Sequence, residues 1–457
     1  MSGPRHLRLT TLAVAMCAAA LTAGCAPAPI APPDRPIRWT EPDRTSVPTG
    51  LDRAMATIVG FPDGGVAVSG VVADHGEPGT TFQADPSIAV WNIDGTQRWR
   101  TTLTGRKPAT ALVARQGGAL LAARAISADT VEVTSFDALG TPAAGFATNG
   151  TAQIPVPPVT TDPGDTPYAT VSAMTLDVHG RIVLAVLTGG CDNQLYPCRY
   201  SDGAVHLVRL LGDGTVDPSF HGGAPLQVSP TGYSVYDLRS KLVTWPDASI
   251  GVATGIGDDA VSKVLPDGSG LDPSYGNGGI AEVQPDAPAL CATGDQVAVL
   301  DLGADGSVLA VFEGRPLASS SNPPPPECEW RATHLSPTGQ VDSTFGGDGH
   351  LELPRWFGEL APRSSSDGDS GFSMLVPREA IDAALGSSPE GLRMMLRSYS
   401  PDGQIRSDHQ LPAYFPSAVN PPGSTMGATA SVVDGKGNRY VVSGSGDSPY
   451  VGLIALG

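Results

Sequence analysis

Positively charged and aromatic side chains are scarce in this sequence. There are only four lysines, 28 basic residues stand against 46 acidic ones, and the formal net charge is −18. Phe, Trp and Tyr together make up 6% of the chain. Nucleic acids and anionic lipid headgroups are bound through clustered Lys and Arg, which this composition does not supply. We therefore predict no nucleic-acid partner and a surface of scattered negative charge.

Motifs that carry catalysis do not stand out either. We find no HExxH zinc motif, no P-loop and no GxSxG elbow in a strand–turn–helix context. Residues 368–371 (GDSG) resemble the nucleophile motif of trypsin-like proteases, but they fall in a hairpin turn and no histidine motif accompanies them. The eight histidines are scattered singly. We predict no catalytic residues and favour a protein that is not an enzyme.

Long apolar runs are missing except at the N-terminus. Arg5, His6 and Arg8 form a short basic region, and residues 7–20 are an apolar run interrupted mainly by Arg8, Thr10 and Thr11. The run is too short to span a bilayer as a stable anchor. The run ends at Leu21-Thr22-Ala23-Gly24-Cys25, which resembles the lipobox of bacterial lipoproteins. The resemblance implies cleavage after residue 24, alkylation of the Cys25 thiol by diacylglycerol, and a place on the extracytoplasmic side of the cell membrane. The alternative is an ordinary secretory signal cleaved near Ala23.

Residues 25–36 follow as a short tether rich in proline (CAPAPIAPPDRP). Proline fixes φ and removes amide donors, so this segment is expected to stay extended and to hold a domain away from a membrane. Beyond it the 56 glycines and 43 prolines of the chain are spread evenly, as expected of many tight turns in a folded β domain. We assign residues 37–457 to one large all-β domain.

A repeat is visible in three segments of this domain: residues 209–223, 263–279 and 334–349. Each has an Asp-Gly or Thr-Gly turn, which suits a tight hairpin, and then an aspartate followed by an aromatic residue. We expect the aspartates to fold back onto nearby amides as Asx-turns, and the aromatic residues to fill the seam between neighbouring units. The aspartates are Asp217, Asp272 and Asp342, and the aromatic residues are Phe220, Tyr275 and Phe345.

A second set of hairpin signals precedes each repeat, so that one unit has four strands. Units of four antiparallel strands are typical of β-propeller blades. The turn signals predict seven blades, the last of which ends in residues 451–457 (VGLIALG) as a third strand without a fourth. Residues 37–45 (IRWTEPDRT) resemble residues 97–103 (QRWRTTL), the fourth strand of the first unit. We predict that the N-terminal strand closes the last blade.

The stretch Val341–Leu351 (VDSTFGGDGHL) resembles the delta-60 repeat of bacterial surface and secreted proteins, as do the stretches beginning at Val216 and Leu271. The resemblance covers most of residues 55–457 at the level of the blade. It implies a propeller-like fold. The family is defined by its repeat and has no shared catalytic residues, so the resemblance implies no activity.

No cofactor and no metal site are predicted. Residues 91–99 (WNIDGTQRW) resemble one repeat of quinoprotein-type propellers, but the other copies lack the closing tryptophan. Calcium held by Asp367, Asp369 and nearby carbonyls is an alternative, although Asp-Gly is first of all a turn signal. Zinc at the cysteines is disfavoured because no histidine lies at ligand spacing from them.

Four cysteines lie in the domain, an even number that indicates two disulfides in an exported protein. Cys191 and Cys198 bracket a short polar loop and are expected to pair, which leaves Cys291 with Cys328. These cysteines lie in or beside long insertions that a four-stranded blade would place on one face. Braced loops on a rigid scaffold are common binding sites, although the bridges could equally serve only to restrain the loops. The candidate binding residues of these loops are Asp192, Asn193, Tyr196, Arg199, Tyr200, Arg315, Glu327 and Trp330.

The sequence thus favours a lipid-tethered propeller that presents its long-loop face to a protein or glycan of the cell envelope. One alternative is a propeller enzyme, such as a hydrolase, a lyase or a quinoprotein-like oxidoreductase, with a site in the central channel. Another is a structural spacer of the envelope. Fold alone does not choose between them, because propellers host unrelated functions.

Overall fold

The computed structural model of the chain describes residues 57–73, 84–92, 96–105, 107–157, 165–192, 199–229, 233–235, 240–254, 260–283, 291–316, 330–353, 364–366, 372–377, 394–410, 430–436, 439–443 and 452–456. This part holds 28 β-strands and two short 3-10 helices, Gln116–Gly118 and His221–Gly223. Neither helix is long and apolar enough to cross a membrane.

The strands form seven antiparallel sheets in the described part of the chain, and we call each sheet a blade. Blades 1, 2, 4, 5 and 6 have four strands in chain order, blade 3 has a fifth strand, β13, that pairs with β11, and blade 7 has three strands. The strands of blades 1 to 3 are β1 Thr57–Gly60, β2 Val66–Ala73, β3 Ala84–Trp91, β4 Gln97–Thr102, β5 Ala111–Ala114, β6 Leu120–Ala125, β7 Thr130–Phe136, β8 Thr151–Pro155, β9 Thr166–Leu176, β10 Ile182–Asp192, β11 Arg199–Leu210, β12 Leu226–Gln227 and β13 Tyr233–Val235. Those of blades 4 to 7 are β14 Lys241–Thr244, β15 Ile250–Thr254, β16 Ala260–Val264, β17 Ile280–Glu282, β18 Cys291–Leu302, β19 Val308–Pro316, β20 Trp330–Leu335, β21 His350–Leu353, β22 Ser364–Ser366, β23 Phe372–Pro377, β24 Met394–Tyr399, β25 Ile405–Gln410, β26 Ala430–Val433, β27 Arg439–Ser443 and β28 Gly452–Leu456.

The first strands of the blades form a closed ring. Each of them contacts the first strand of the next blade, and β26 of blade 7 contacts β1 of blade 1. Blades 7 and 1 are also joined by hydrogen bonds, from the amide of Gly435 to the carbonyl of Phe61 (2.9 Å) and from the amide of Gly65 to the carboxylate of Asp434 (3.1 Å). The chain is therefore a β-propeller, and the prediction of four-stranded antiparallel blades is confirmed. The blade number of the complete chain and the closing strand stay predictions, because residues 37–45 lie outside the described residues.

The two ends of the ring differ. At one end lie the turns that join the first strand to the second and the third to the fourth in each blade; we call it the turn face. It includes residues 61–65, 137–141, 177–181, 211–215 and 336–340. At the other end the chain passes from the second strand to the third, as at residues 126–129, and from each blade to the next; we call it the loop face.

The hydrophobic core lies between blades. Alternate residues of a strand point to opposite faces of its sheet, so each blade offers one apolar face to each neighbour. In β10, for example, Leu184 packs in a cluster shared with blade 2, whereas Val183 packs in a cluster shared with blade 4. The described residues form five such clusters, each drawn from two neighbouring blades. This explains how a long chain buries its apolar residues without a second domain.

Aromatic side chains fill the seams as predicted. Phe220 of blade 3, Tyr275 of blade 4 and Phe345 of blade 5 are at most 2% exposed, and each lies against a turn glycine of the next blade. The residue after the aromatic residue often makes a backbone hydrogen bond to the next blade. The His221 amide, for example, donates to the Asp267 carbonyl at 2.8 Å. The same aromatic–glycine contact joins the earlier blades. The five pairs are Trp99–Gly140, Phe146–Gly214, Phe220–Gly268, Tyr275–Gly339 and Phe345–Gly403.

Candidate functional site

Blade 3 extends beyond its neighbour on the loop face. Its strands β10 and β11 have 11 and 12 residues, against 6 and 7 in β6 and β7 of blade 2. Five further residues lengthen a strand by roughly 15 Å. The added part is paired on both sides: Cys191 of β10 lies opposite Thr166 of β9, and β13 pairs with β11 at Tyr200 and Gly203. The extension is a sheet of four strands, and its backbone is fixed by ladder hydrogen bonds.

Three of the predicted binding residues lie at the tip of this extension. Asp192 and Arg199 occupy facing positions on β10 and β11, and Tyr200 lies opposite Cys191. The register shifts between Thr188 and Gly190, which marks an irregularity of the bulge type. Such irregularities bend a strand and redirect the residues beyond them. The structure thus places Asp192, Arg199 and Tyr200 at neighbouring backbone positions at the paired ends of β10 and β11, on strands and not in the loop that the sequence predicted.

Blade 5 has a smaller extension on the same face. Its strands β18 and β19 have 12 and 9 residues, and they remain paired as far as Cys291 opposite Pro316. Arg315 lies opposite Ala292 near this end, and Trp330 begins β20 opposite Leu353 of β21. Arg315 and Trp330 are therefore at the loop-face end of one blade. They belong to a different blade from Asp192 and Arg199, with blade 4 between the two in chain order.

The remaining predicted residues fall outside the part of the chain that the structure describes. They are Asn193, Tyr196, Cys198, Glu327 and Cys328, together with Asp367 and Asp369 of the alternative calcium site. The disulfides Cys191–Cys198 and Cys291–Cys328 therefore stay predictions, as does the lipid on Cys25. Among the described residues no group of three or more His, Cys, Asp or Glu side chains is placed to hold a metal ion.

The turn face carries charged groups that the sequence interpretation missed. Asp217 accepts hydrogen bonds from the amide and hydroxyl of Ser219, which confirms the predicted Asx-turn, and its other oxygen accepts from Arg209 Nε at 2.7 Å. The Arg209 side chain is 1% exposed and stacks on Phe220 at 4.6 Å from the ring centroid. Burial opposes ionisation of Asp217, but the hydrogen bonds from Ser219 and Arg209 outweigh it and hold the pKa of this carboxyl below its ordinary value.

The same contact of a basic residue with the repeat aspartate recurs in blades 4 and 5. Lys263 Nζ lies 3.1 Å from Asp272, and His334 Nδ1 lies 3.0 Å from Asp342. A hydrogen bond from the residue after next confirms the Asx-turn in both copies, from Ser274 in one and Thr344 in the other. The signal in the sequence is a basic residue eight or nine positions before the repeat aspartate, on the strand that precedes the turn.

His334 also lies beside a serine, in the order found in hydrolase triads. Its Nε2 is 3.1 Å from Ser307 Oγ, while Nδ1 faces Asp342. The single proton of the Ser307 hydroxyl is directed to Asp305 at 2.6 Å, however, and the residue is only 3% exposed. Blade 4 has Ser249 and Lys263 at the equivalent positions. We therefore interpret the group as the blade 5 version of a structural network, in which the imidazole takes the place of a lysine.

A second polar group is buried in the seam between blades 2 and 3. His206 of β11 is 5% exposed, Thr188 of β10 is fully buried, and neither His206 Nδ1 nor Thr188 Oγ1 has a hydrogen-bond partner among the described residues. The alternation along β11 places His206 on the side of Val208 and Leu210, which face blade 2. Burial lowers the pKa of His206 to about 4. The imidazole is therefore neutral near pH 7.

Comparison with known proteins identifies no family for this chain. No family model matches the chain, and no curated protein matches it. Among solved structures, the Pan2 WD40 domain of Neurospora crassa matches with 10% identity over 90% of this chain and 89% of that one (TM-score 0.43). A polysaccharide lyase described as ulvan lyase matches with 9% identity over 92% and 96% of the two chains (TM-score 0.42). BBS1N, solved in complex with ARL6DN, matches with 11% identity over 92% and 97% (TM-score 0.41). At this level of similarity the functions of these proteins do not transfer.

Proposed function

We propose that the chain is a lipid-anchored, extracytoplasmic propeller that binds a protein or glycan of the cell envelope through its loop face. The observation that carries the proposal is the extension of blade 3, which stays paired as far as Asp192 opposite Arg199. Its tip combines an acid, a guanidinium and a phenol, residue types that hydrogen-bond peptide and sugar groups alike. The anchor is proposed on the resemblance of residues 21–25 to a lipobox.

The scaffold itself does not need the extension. Blade 2 fills its place in the ring with second and third strands of 6 and 7 residues, and it shares hydrophobic clusters with both neighbours. The polar groups of the turn face serve the seams instead, as the buried pair of Arg209 and Asp217 does. A paired extension on one face that the fold itself does not need is a favourable platform for recognition.

The test is crosslinking in intact cells with three forms of the protein. The first is the wild type. The second has residues 189–203 replaced by Asn-Gly, which removes the blade 3 extension and leaves Thr188 facing Ala204. The third is a matched control in which residues 126–130, the equivalent connection of blade 2, are replaced by Asn-Gly, which leaves Ala125 facing Val131. We expect one envelope protein or glycan to be captured by the wild type and the control and to be lost from the second form. Equal capture by all three forms would contradict the proposal.

Membrane attachment is tested separately with Cys25→Ser. We expect the wild type to fractionate with membranes and to release a diacylglycerol-modified N-terminal peptide, and the variant to yield none. A wild-type chain whose mature N-terminus carries no lipid would contradict the anchor. Failure to capture any partner from an anchored protein would instead favour the spacer or a small-molecule site in the central channel.

A further inference from the structure

Aspartate or asparagine followed by glycine recurs at the turns of this chain, and such pairs are chemically labile. Asx-Gly suits tight turns because both residues tolerate a positive φ. In water, however, the backbone nitrogen of the glycine can attack the side-chain carbonyl carbon of the residue before it and form a cyclic succinimide. Glycine allows this because it has no side chain to hinder the approach. The attacking nitrogen must be free of a hydrogen bond, so the fold decides which pairs react.

Backbone hydrogen bonds hold the glycine amide in nearly all Asx-Gly turns of the described part of the chain. The Gly214 amide, which follows Asp213, donates to the Leu211 carbonyl at 2.9 Å. The glycines held in this way are Gly64, Gly150, Gly214, Gly268, Gly306, Gly349, Gly403 and Gly435. Among the turns within the same ranges, the pair Asn277-Gly278 differs, because the Gly278 amide donates to no atom. This pair therefore lacks the protection that the others have.

The sequence contains a second Asn-Gly pair, and it lies in the equivalent turn of blade 2. That turn runs from Thr148 to Thr151, and the Thr148 amide donates to the Thr151 carbonyl at 3.2 Å. Asn149 and Gly150 are its two central residues. The Gly150 amide donates to the Phe146 carbonyl at 2.9 Å, and Gly150 is buried. The nitrogen that would attack the Asn149 side chain is thus held in place.

Blade 4 places its asparagine one position earlier in the turn. Here the turn runs from Asn277 to Ile280, and the Asn277 amide donates to the Ile280 carbonyl at 2.7 Å. Its central residues are Gly278 and Gly279, with φ of +63° and +99°. The bonded amide is that of Gly279, which donates to the Tyr275 carbonyl at 2.8 Å. The shift by one position leaves the Gly278 amide, which follows the asparagine, outside the hydrogen-bond network of the turn.

Packing does not protect the pair in blade 4 either. Asn277 and Gly278 are both exposed, and no atom lies within 4 Å of a Cβ built on Gly278. A Cβ on Gly150, by contrast, would lie 2.7 Å from Cβ of Pro142. Water reaches the turn of blade 4, and the peptide unit between Asn277 and Gly278 has room to rotate toward the side chain.

We propose that Asn277 is a site of spontaneous deamidation in the folded protein. The Gly278 nitrogen gives its proton to hydroxide and forms a bond to Cγ of Asn277. The Cγ–Nδ2 bond then breaks, and Nδ2 takes up a proton from water and leaves as ammonia. Water opens the succinimide at either carbonyl to give aspartate or isoaspartate, and the chain gains a negative charge. The proposal depends on neither the lipid anchor nor the loop-face partner of the proposed function.

The modified residue lies at the seam between blades 4 and 5. The Gly276 amide donates to the Thr338 carbonyl of blade 5 at 2.8 Å, and Tyr275, which is 1% exposed, fills the seam. Isoaspartate inserts an extra carbon into the main chain within residues 277–280, so the hydrogen bonds that close this turn cannot all be kept. Deamidation therefore loosens the turn, the start of β17 and the contact between the two blades as the protein ages.

Ageing of the purified full-length protein at mildly alkaline pH tests the site, with Asn149 in the same molecule as the matched control. Peptide masses report deamidation at each asparagine, and methylation by an isoaspartyl methyltransferase reports isoaspartate. We expect Asn277 to react roughly tenfold faster than Asn149, the ratio that corresponds to freeing one backbone hydrogen bond. Equal rates, or a faster reaction at Asn149, would overturn the proposal.

The same measurement in concentrated urea separates the effect of the fold from that of the neighbouring residues. In the unfolded chain both glycine amides are free, so we expect the rates at Asn277 and Asn149 to become similar. If Asn277 keeps its full advantage in urea, the difference comes from the local sequence, and the role given to the missing hydrogen bond is wrong.

Hydrogen exchange tests the consequence for the seam. The control is Asn277→Gln, whose longer side chain does not close the succinimide ring and whose backbone bonds are those of the wild type. After ageing, we expect residues 277–280 and β17 to lose protection from exchange in the wild type and to keep it in Asn277→Gln. An equal loss of protection in both proteins, or none in a wild type that has formed isoaspartate, would overturn the effect on the seam.

Discussion

The ring of Phe146 in blade 2 occupies the space in which a side chain on Gly214 of blade 3 would lie. A Cβ atom built on Gly214 would be 2.7 Å from the tip of that ring, and the residue has a φ of +89°. Glycine is therefore required at position 214 for two reasons: the positive φ, and the lack of space for a side chain beside Phe146. Four other aromatic–glycine pairs repeat the arrangement from blade 1 to blade 6.

Gly214→Ala is expected to destabilise the protein more than an alanine at an open turn. The positive φ costs about 1–2 kcal/mol in both positions, and displacing Phe146 adds about 1–3 kcal/mol. The matched control is Gly180→Ala in the same blade, where φ is +73° and no atom lies within 4 Å of the added Cβ. Denaturant unfolding of the two variants measures the difference. Equal losses would show that the seam adapts to the extra methyl group.

The buried pair of Arg209 and Asp217 predicts a large effect of removing one partner. Asp217→Asn leaves the guanidinium of Arg209, which is 1% exposed, without the carboxylate to which it is hydrogen-bonded, and this costs about 3–5 kcal/mol. Asp342→Asn breaks the equivalent pair in blade 5, where the carboxylate is 32% exposed, and the expected loss is about 1 kcal/mol. Urea unfolding of both variants is the measurement. Similar losses for the two would contradict the role given to burial.

The interpretation of His334 as a structural partner of Asp342 predicts that lysine can replace it. We expect His334→Lys to keep stability within about 1 kcal/mol, because blade 4 pairs Lys263 with Asp272 at the equivalent place. His334→Leu leaves Ser307 and Asp342 without a partner there and is expected to cost about 2 kcal/mol. A fluorophosphonate probe, which labels activated serine nucleophiles, tests whether Ser307 is catalytic. Labelling of Ser307 that is lost in His334→Lys would show a catalytic triad and refute the structural interpretation.

Burial of His206 predicts a loss of stability in mild acid. Unfolded histidine titrates near pH 6.5, whereas burial holds the folded pKa at about 4. As the pH falls below 6.5, the unfolded state takes up the proton first. The contribution of His206 to the free energy of unfolding is therefore at its full value above pH 6.5 and declines between pH 6.5 and 4. The decline is on the order of 3 kcal/mol over the full window.

His206→Gln is expected to flatten this pH dependence, as measured by urea unfolding at pH 7.5 and 4.5. Thr188→Val is the control, because it alters the same seam without a titrating group and leaves the slope unchanged. If the free energy of unfolding of His206→Gln falls between pH 7.5 and 4.5 as much as that of the wild type, the acid sensitivity belongs to other groups.

Local chemistry made the blades predictable from the sequence. Asp217 followed by Ser219 specifies an Asx-turn wherever it lies. The two hairpin signals in each unit predicted four strands to a blade. The contacts between blades were only partly visible. The role of Phe220 was predicted because its place in the repeat is constant, whereas Arg209 was missed because its carboxylate partner lies across a hairpin. The sequence interpretation placed Asp192 and Arg199 in a loop, whereas they lie on the paired strands β10 and β11. Their role in binding stays a prediction, because the chemistry of a recognition surface leaves no periodic signal.

The aromatic–glycine contacts also make the two sides of a blade different. One side carries the aromatic side chain, and the other carries the turn glycine that receives the aromatic residue of the preceding blade. Units joined head to tail by one repeated contact add without limit unless the series closes on itself. Between blades 7 and 1 a different contact, of Asp434 with Gly65, completes the circle. A chain opened at this junction would therefore offer matching ends to other opened chains. Polymerisation into filaments, rather than simple loss of structure, is the failure that this closure guards against.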